Sequence, residues 1–271
     1  MTSIEDRKVT GYEAERVMEK ALDIGEAMLR SGAEILRVED TIMRICLAYG
    51  GGIVDVFTIL SLIIVSWHTT DDKNYTQTRR IYSYSTDLEK LEDLNALSRY
   101  ICANKPSCSE IEQRVEQIMY QEKNNISKSE IAGYVIGSGG FAVFFGGNLR
   151  DGLAAGIVAA LVYLWNYRFA GKSRNRVVYT FVCSFVACVM CLLSVSVGIG
   201  VNVDKVMIGI IMLLIPGINM MNSLRDMICG DIITGTLRLA EALMVAISIA
   251  VGFGVAILLV PNIGQFLSTL G

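Results

Sequence analysis

The sequence predicts an integral membrane α-helical bundle of five transmembrane helices preceded by a mixed α/β cytosolic domain. Of the 51 charged residues, 38 lie in the first 130 positions. The other 141 residues carry 13 charges and consist largely of long apolar segments, which water cannot solvate. We therefore expect a cytosolic α/β domain at 1–128 and a transmembrane domain at 129–271.

Five apolar segments approach the roughly 20 residues that a helix needs to cross a bilayer core. They are residues 131–147, 152–167, 177–200 and 206–224, and the segment that follows Glu241. The first two are short, rich in glycine and close together, which predicts a tight helical hairpin. Its small-residue pairs, Gly133/Gly137 and Gly152/Gly156, would let the two backbones approach closely. A single re-entrant element is the alternative.

The loop charges predict the orientation of the chain in the cell membrane. Residues 166–176 contain four basic residues, whereas the opposite side of the membrane receives only Arg150 and Lys205. The positive-inside rule therefore places the N-terminal domain in the cytoplasm and the C-terminus outside. Residues 1–20 are charged, so we expect no signal peptide. Pro261 predicts the end of the last helix.

Local patterns predict the elements of the first half. Apolar periodicity indicates helices at 12–30 and up to Tyr49, the second starting from a capping box at Ser31 to Glu34. Further elements are strands at 54–58, 62–67 and 77–84, and helices at 87–103 and 107–122, capped by Asp87 and Ser107. The seven scattered cysteines predict reduced thiols rather than disulfides, including the pair Cys188 and Cys191 inside a predicted span.

Charged residues of the second predicted helix form a candidate cytosolic cluster: Glu34, Arg37, Glu39 and Asp40. These residues could belong to an active site, or Asp40 could simply pair with Arg44 on a solvated face. No phosphate loop, nucleophile elbow or metal-ligand spacing accompanies them. We expect a structural role for the only histidine, His68. We expect no enzyme activity, cofactor, metal or nucleic-acid partner.

A second candidate site lies around the fourth and fifth predicted spans, where five of the 13 charges of the membrane half are concentrated. Proline removes a helical hydrogen bond and glycine loosens the backbone, and such broken helices are typical of transport sites. Charges at membrane depth must pair or face water. The alternative is an interfacial loop whose charged side chains reach water. The candidate residues are Pro216, Gly217, Asn222, Arg225, Asp226, Asp231, Arg238 and Glu241.

In their order along the chain, several short motifs resemble the threonine/serine exporter (ThrE) family over about residues 12–260. They include Gly32-Ala33-Glu34, the segment 37–41, Phe145-Gly146-Gly147 with Asp151, and the series from Pro216 to Glu241. The chain is most similar to the larger, YjjP-type half of the family, which combines a cytosolic domain with five helices. In split members a smaller multispan subunit supplies the second half.

This resemblance implies a secondary transporter subunit that exports a small polar metabolite, most naturally threonine or serine, coupled to the proton gradient. Asp226, Asp231 and Glu241 are candidates for proton coupling or for binding the substrate amine. Arg225 and Arg238 are candidates for the substrate carboxylate, because a guanidinium matches a carboxylate in two hydrogen bonds. The alternatives are a dicarboxylate exporter, a membrane-anchored hydrolase and an assembly subunit with no site. A homo-oligomer is also compatible with the sequence.

Overall fold

A computed structural model describes residues 11–82, 85–120, 128–169 and 175–259. Ten α-helices and three β-strands lie in these ranges. In chain order they are α1 (Gly11–Arg30), α2 (Ile35–Gly50), β1 (Ile53–Ile59), β2 (Leu62–His68), β3 (Asn74–Arg80), α3 (Leu88–Asn104), α4 (Cys108–Met119), α5 (Lys128–Phe144), α6 (Leu149–Phe169), α7 (Arg176–Ser196), α8 (Val203–Leu214), α9 (Gly217–Ile228) and α10 (Ile232–Leu259).

The chain divides into two compact units. The first comprises Met1–Glu122 and Asn219–Leu239, and the second comprises Lys123–Ile218 and Ala240–Gly271. The predicted domain boundary at residue 128 stays a prediction, and this division groups residues 219–239 with the N-terminal unit. Most of α9 and the start of α10 are therefore part of that unit.

In the first unit, an antiparallel sheet in the order β1-β2-β3 packs against helices. Alternate residues of β2 are buried, including Ile63, Val65 and Trp67, as expected for a sheet with one face in the core. The Trp67 indole N–H donates to the Gly51 carbonyl at 2.8 Å, which satisfies the one polar group of this buried ring. A small three-stranded sheet, as predicted, is thus present among the helices of this region.

Several local predictions for the first unit are confirmed. Asp87 caps α3 by accepting from the Lys90 N–H, and Ser107 caps α4 by accepting from the Glu110 N–H. Strand β3 differs from its predicted range because it begins at Asn74 and ends at Arg80. Asn74 pairs with His68 across the hairpin, so the turn is shorter than the polar composition of 69–74 indicated.

The predicted capping box at Ser31 to Glu34 is wrong. The Gly32 N–H donates to Leu29 and the Ala33 N–H to Met28, while Gly32 has a φ of +93°. This is a Schellman arrangement that ends α1, and glycine suits it because it adopts positive φ without strain. Glu34 is the N-cap of α2 but makes no side-chain capping bond, which leaves its carboxylate free to contact a different element.

In the second unit, α5 and α6 form a close helical hairpin, as predicted, and the predicted pair Gly152/Gly156 of α6 lies at their contact, but the predicted pair of α5 does not. A Cβ atom on Gly139 would lie 2.8 Å from the Gly152 carbonyl oxygen, and one on Gly156 would lie 3.0 Å from a Val135 methyl. Nothing lies within 4 Å of such an atom on Gly133. The close approach therefore uses Gly139 rather than the predicted Gly133/Gly137 pair, because Gly133 lies on an exposed face of α5.

Membrane location is supported by the helices of the described ranges, three of which are long and apolar enough to span a membrane: Leu149–Phe169, Arg176–Ser196 and Ile232–Leu259. The bent pair Val203–Leu214 and Gly217–Ile228, with a bend of 50°, raises this number to at most four. The bend falls at Pro216, which confirms the predicted helix break. Helix α5 has 17 residues, somewhat short of the roughly 20 required. Pro261, the predicted end of the last helix, lies outside the described residues.

One face of α6 carries large apolar side chains that the protein does not cover. Leu153, Ile157, Leu161 and Leu164 are 42–67% exposed and recur at helical spacing. The opposite face is packed with small residues, among them Ala154, Ala155 and Ala159. This pattern, with bulky residues outward and small residues inward, is typical of a helix that faces lipid on one side and other helices on the opposite side.

The second unit also contains a fully buried carboxylate, Asp151, at the start of α6. Its oxygens accept hydrogen bonds from the backbone N–H groups of Val201 and Asn202 at 2.7 and 2.8 Å, and from the Asn202 side chain at 2.9 Å. The Asn148 N–H adds a fourth bond at 3.0 Å. Asp151 therefore ties the α5–α6 turn to the loop before α8. All seven cysteines are free thiols, as expected.

Candidate functional site

Residues of the two clusters that the sequence predicted separately contact each other in the first unit, whereas Pro216, Gly217 and Glu241 belong to the second unit. Arg225 on α9 pairs with Glu34 at the N-terminus of α2, with 2.7 Å between guanidinium nitrogen and carboxylate oxygen. The Asn222 side-chain amide donates to the Gly32 carbonyl at 3.4 Å. These contacts join residues 191 and 190 positions apart in the sequence. Segment 219–239 is therefore fixed to the α1–α2 connection.

A second ion pair, between Asp226 and Arg238, is buried in this unit. The Asp226 and Arg238 side chains are only 3% and 6% exposed, and their closest atoms, Oδ2 and Nη1, are 3.1 Å apart. The two atoms are not aligned as a hydrogen bond, and neither has another hydrogen-bond partner among the residues that the structure describes. The pair is therefore held by charge attraction. Breaking such a buried pair is strongly unfavourable, because the remaining charge stays buried without a counterion.

Backbone groups at the start of α2 complete the surroundings of this pair. Arg238 Nη2 donates to the Ala33 carbonyl at 3.2 Å, and the Ile35 N–H lies where it stabilises the charge of the Asp226 carboxylate. The first N–H groups of a helix have no partner within the helix and form its positive end. Asp226 thus lies near the N-terminal end of α2, where Glu34 provides no side-chain cap.

Helices α9 and α10 are brought together by a glycine. A Cβ atom on Gly235 would lie 2.6 Å from Met227 Cγ and 2.7 Å from the Ser223 carbonyl oxygen. The turn between the helices uses Gly230, whose φ is +105°. Only a residue without a side chain permits this approach. The glycine spacing of the α9–α10 segment is therefore what places Asp226 and Arg238 side by side.

A third polar group lies around Glu39. Its Oε1 atom accepts the Thr58 N–H at 2.8 Å. The pKa of Glu39 is raised because the carboxyl is removed from water, and the negative charge of Asp231 raises it further, while the hydrogen bond from the Thr58 N–H opposes the shift. The Asp231 Oδ2 atom is buried without a hydrogen-bond partner in the described part of the chain. Glu39 and Asp231 are thus two carboxylates that repel each other.

The other predicted residues lie outside this group. Asp40 pairs with Arg44 at 2.7 Å with both side chains largely exposed, in agreement with the solvated-face interpretation. Arg37 is exposed and makes no ion pair or hydrogen bond with any residue the structure describes. Glu241 belongs to the second unit, where it lies 3.7 Å from Arg176. His68 contacts Asn74 and Asp72 at the end of the sheet, in keeping with a structural role.

Sequence reasoning missed three contributors to the site. Thr58 is 1% exposed, and its hydroxyl has no hydrogen-bond partner of good geometry. The Ala33 carbonyl and the Ile35 N–H contribute through the backbone, for which side-chain identity gives no signal. The apolar residues that flank Thr58 in the sequence indicate that this threonine is buried. Its proximity to Glu39, however, depends on the tertiary structure.

Comparison with known proteins identifies the family. The family model for a threonine/serine exporter (ThrE) matches residues 19–260. A "probable threonine/serine exporter" of Mycobacterium tuberculosis is 24% identical over 259 residues, covering 92% of this chain and 47% of the relative. A threonine/serine exporter of Corynebacterium glutamicum is 23% identical over 248 residues, covering 89% of this chain and 50% of the relative.

The chain therefore spans about half the length of these curated relatives. No solved structure matches it. Because the family model covers most of the sequence, and because its match includes both parts of the charged site, the assignment does not depend on one local motif. The chain belongs to the threonine/serine exporter family.

Proposed function

We propose that this chain is one part of a secondary transporter that exports threonine and serine from the cytoplasm, driven by the proton gradient. The observation that carries the proposal is the family match over residues 19–260. Five spans, a cytoplasmic N-terminus and an external C-terminus complete the proposal, and the basic residues of segment 166–176 support that orientation. A smaller multispan subunit provides the second half.

The site residues take distinct roles in this proposal. The Arg225 side chain is 61% exposed, so a substrate carboxylate can replace Glu34 as its partner at small energetic cost. Arg238 is buried with Asp226 and holds the α9–α10 segment in place. Asp231 and Glu241 are the carboxylates proposed for the substrate amine or the proton, and the break at Pro216 and Gly217 provides a hinge.

The test is export from intact cells that carry the complete transporter. Cells are loaded with a threonine dipeptide, and external threonine is measured after intracellular hydrolysis. Replacing Arg225 by Met should lower the export rate about tenfold or more, because a charged, bidentate contact to the substrate carboxylate is lost. The matched control is Arg44→Met, which removes an arginine from an exposed ion pair of the same unit.

The competing functions give different results in the same cells. Chain-dependent efflux of succinate without efflux of threonine would indicate a dicarboxylate exporter. Turnover of an ester or amide by the purified full chain, with no chain-dependent efflux of either compound, would indicate a membrane-anchored hydrolase. Unchanged threonine export in Arg225→Met would remove this residue from the site.

The proposed orientation is tested by cysteine labelling in a background in which the exposed Cys229 is replaced by Ser. Asn202→Cys should react with an impermeant maleimide in intact cells, because the loop before α8 is proposed to be external. Lys172→Cys should react only after permeabilisation. The reverse pattern would overturn both the topology and the direction of transport.

A further inference from the structure

We infer that Glu39, Thr58 and Asp231 form a subsite for a primary ammonium group, the α-amino group of the exported amino acid. This inference rests on the proposed function and adds a second half to the substrate site, beside the arginine proposed for the carboxylate. The sequence placed Glu39 in a separate cytosolic cluster and did not include Thr58 in any site. The three residues come from α2, from β1 and from the loop before α10.

The buried Thr58 hydroxyl has no hydrogen-bond partner of good geometry among the described residues, although a buried hydroxyl is expected to have one. Thr58 is 1% exposed, and its Oγ1 atom faces the Glu39 carboxylate without the geometry of a hydrogen bond. The Asp231 Oδ2 atom is likewise buried and without a hydrogen-bond partner in the described ranges. Buried polar atoms nearly always have a partner, and an exception indicates a place where a ligand can bind.

Negative charge exceeds positive charge around this group of residues. Four carboxylates interact electrostatically in this unit, those of Glu34, Glu39, Asp226 and Asp231. Among the described residues, two guanidinium groups pair with members of this set, Arg225 with Glu34 and Arg238 with Asp226. Glu39 and Asp231 have no cationic partner among the residues that the structure describes. A bound cation would therefore relieve the repulsion between these two partly buried carboxylates.

The acceptor groups of Glu39, Asp231 and Thr58 match the donors of a primary ammonium group. A primary ammonium carries three N–H donors and no acceptor. Carboxylate oxygens of Glu39 and Asp231, together with the Thr58 hydroxyl oxygen, provide three acceptors. No set of three or more histidine, cysteine, aspartate or glutamate side chains in the described part of the chain is arranged to hold a metal ion. An organic ammonium group suits this combination of two charged acceptors and one neutral acceptor.

The test compares binding of threonine with binding of 3-hydroxybutanoate, which keeps the carboxylate and hydroxyl groups but lacks the ammonium group. Radiolabelled L-threonine is bound to membranes that contain the complete transporter, and 3-hydroxybutanoate is used as a competitor. The variants are Glu39→Gln, Asp231→Asn and Thr58→Val. Asp55→Asn is the matched control, because Asp55 is an exposed carboxylate on the same strand as Thr58.

The wild type should bind threonine much more tightly than 3-hydroxybutanoate. Glu39→Gln and Asp231→Asn should each weaken threonine binding about tenfold or more, as expected for a lost charged hydrogen bond, and Thr58→Val should weaken it less. Binding of 3-hydroxybutanoate should not change in any of them. This selective loss separates recognition of the ammonium group from a general structural defect, which would weaken both ligands.

The other possible results decide between a wrong ammonium subsite and a wrong proposed function. If the wild type binds threonine and the three variants bind it equally well, or if they lose both ligands in parallel, the ammonium subsite is wrong while the proposed function stands. If one variant does not accumulate in the membrane, the other two decide. If the wild-type transporter binds neither threonine nor serine, the proposed function fails, and the inference that rests on it fails as well.

Discussion

At the scale of single residues, the buried ion pair Asp226–Arg238 is the contact of the site with the largest desolvation cost. Both side chains are almost inaccessible to solvent, and the closest charged atoms are 3.1 Å apart without a hydrogen bond between them. Desolvation of two charges is expensive, and the attraction between them offsets that cost only while both are present. The pair Glu34–Arg225, by contrast, has an exposed arginine and is screened by water.

This contrast predicts different stabilities for two arginine variants. Arg238→Met should lower the free energy of unfolding by about 3–5 kcal/mol, because Asp226 remains buried without its cation. Arg225→Met should change it by no more than about 1 kcal/mol. Thermal unfolding of the purified protein in detergent measures both values.

Adding Asp226→Leu to Arg238→Met should restore part of the lost stability but not export. Recovery is incomplete because the Ala33 carbonyl loses its hydrogen-bond donor and the Ile35 N–H loses a nearby negative charge. Equal destabilisation by the two single arginine variants would contradict the assignment of the buried pair.

At the scale of elements, Asp151 holds two connections of the second unit together through its four hydrogen bonds. Asp151→Ala should lower the free energy of unfolding by about 3 kcal/mol or more, because several N–H donors lose their acceptor at once. Asp204→Asn is the control: Asp204 is a largely exposed carboxylate beside Lys205, and its loss should cost no more than about 0.5 kcal/mol. Unfolding midpoints of the two variants that differ by less than the measurement error would rule out this role for Asp151.

Helices α5 and α6 offer a second matched pair of substitutions. Alanine at Gly139 would place a methyl group 2.8 Å from the Gly152 carbonyl oxygen, so the two backbones must separate. We expect a loss of about 1–3 kcal/mol. Alanine at Gly133 meets no atom within 4 Å, and it should be neutral or gain about 0.5–1 kcal/mol from better helix propensity. The melting temperatures decide, and a stabilised Gly139→Ala variant would show that this contact does not hold the hairpin.

At the scale of the whole molecule, the sequence predicted those structural features that depend on residues close together in the chain. Periodicity located α1 and α2, side-chain caps located the starts of α3 and α4, and Pro216 located a helix break. The family resemblance was also correct. These signals act over one or two helical turns, so they are readable without knowledge of the fold.

The features that the sequence did not predict depend on contacts between residues far apart in the chain. Segment 219–239 was expected to lie with the membrane helices, yet its polar side chains contact the α1–α2 connection almost 200 positions away. Composition cannot distinguish a charged side chain that reaches water from one that pairs with a residue far away in the sequence. The same limitation explains why Gly133/Gly137 was preferred to Gly139, since facing surfaces of helices are set by packing.

The remaining prediction concerns what this chain needs in order to transport. Many transporters place their substrate between two structural repeats, and this chain spans about half the length of its curated relatives. Purified chain in proteoliposomes should therefore give no threonine flux above protein-free vesicles under an imposed proton gradient. Flux should appear when the smaller multispan subunit is co-reconstituted, and it should disappear again in Arg225→Met. Co-purification of the two polypeptides provides the control for assembly. Robust, gradient-dependent flux from this chain alone would show that it forms a complete transporter by itself, with a second copy as the only available partner.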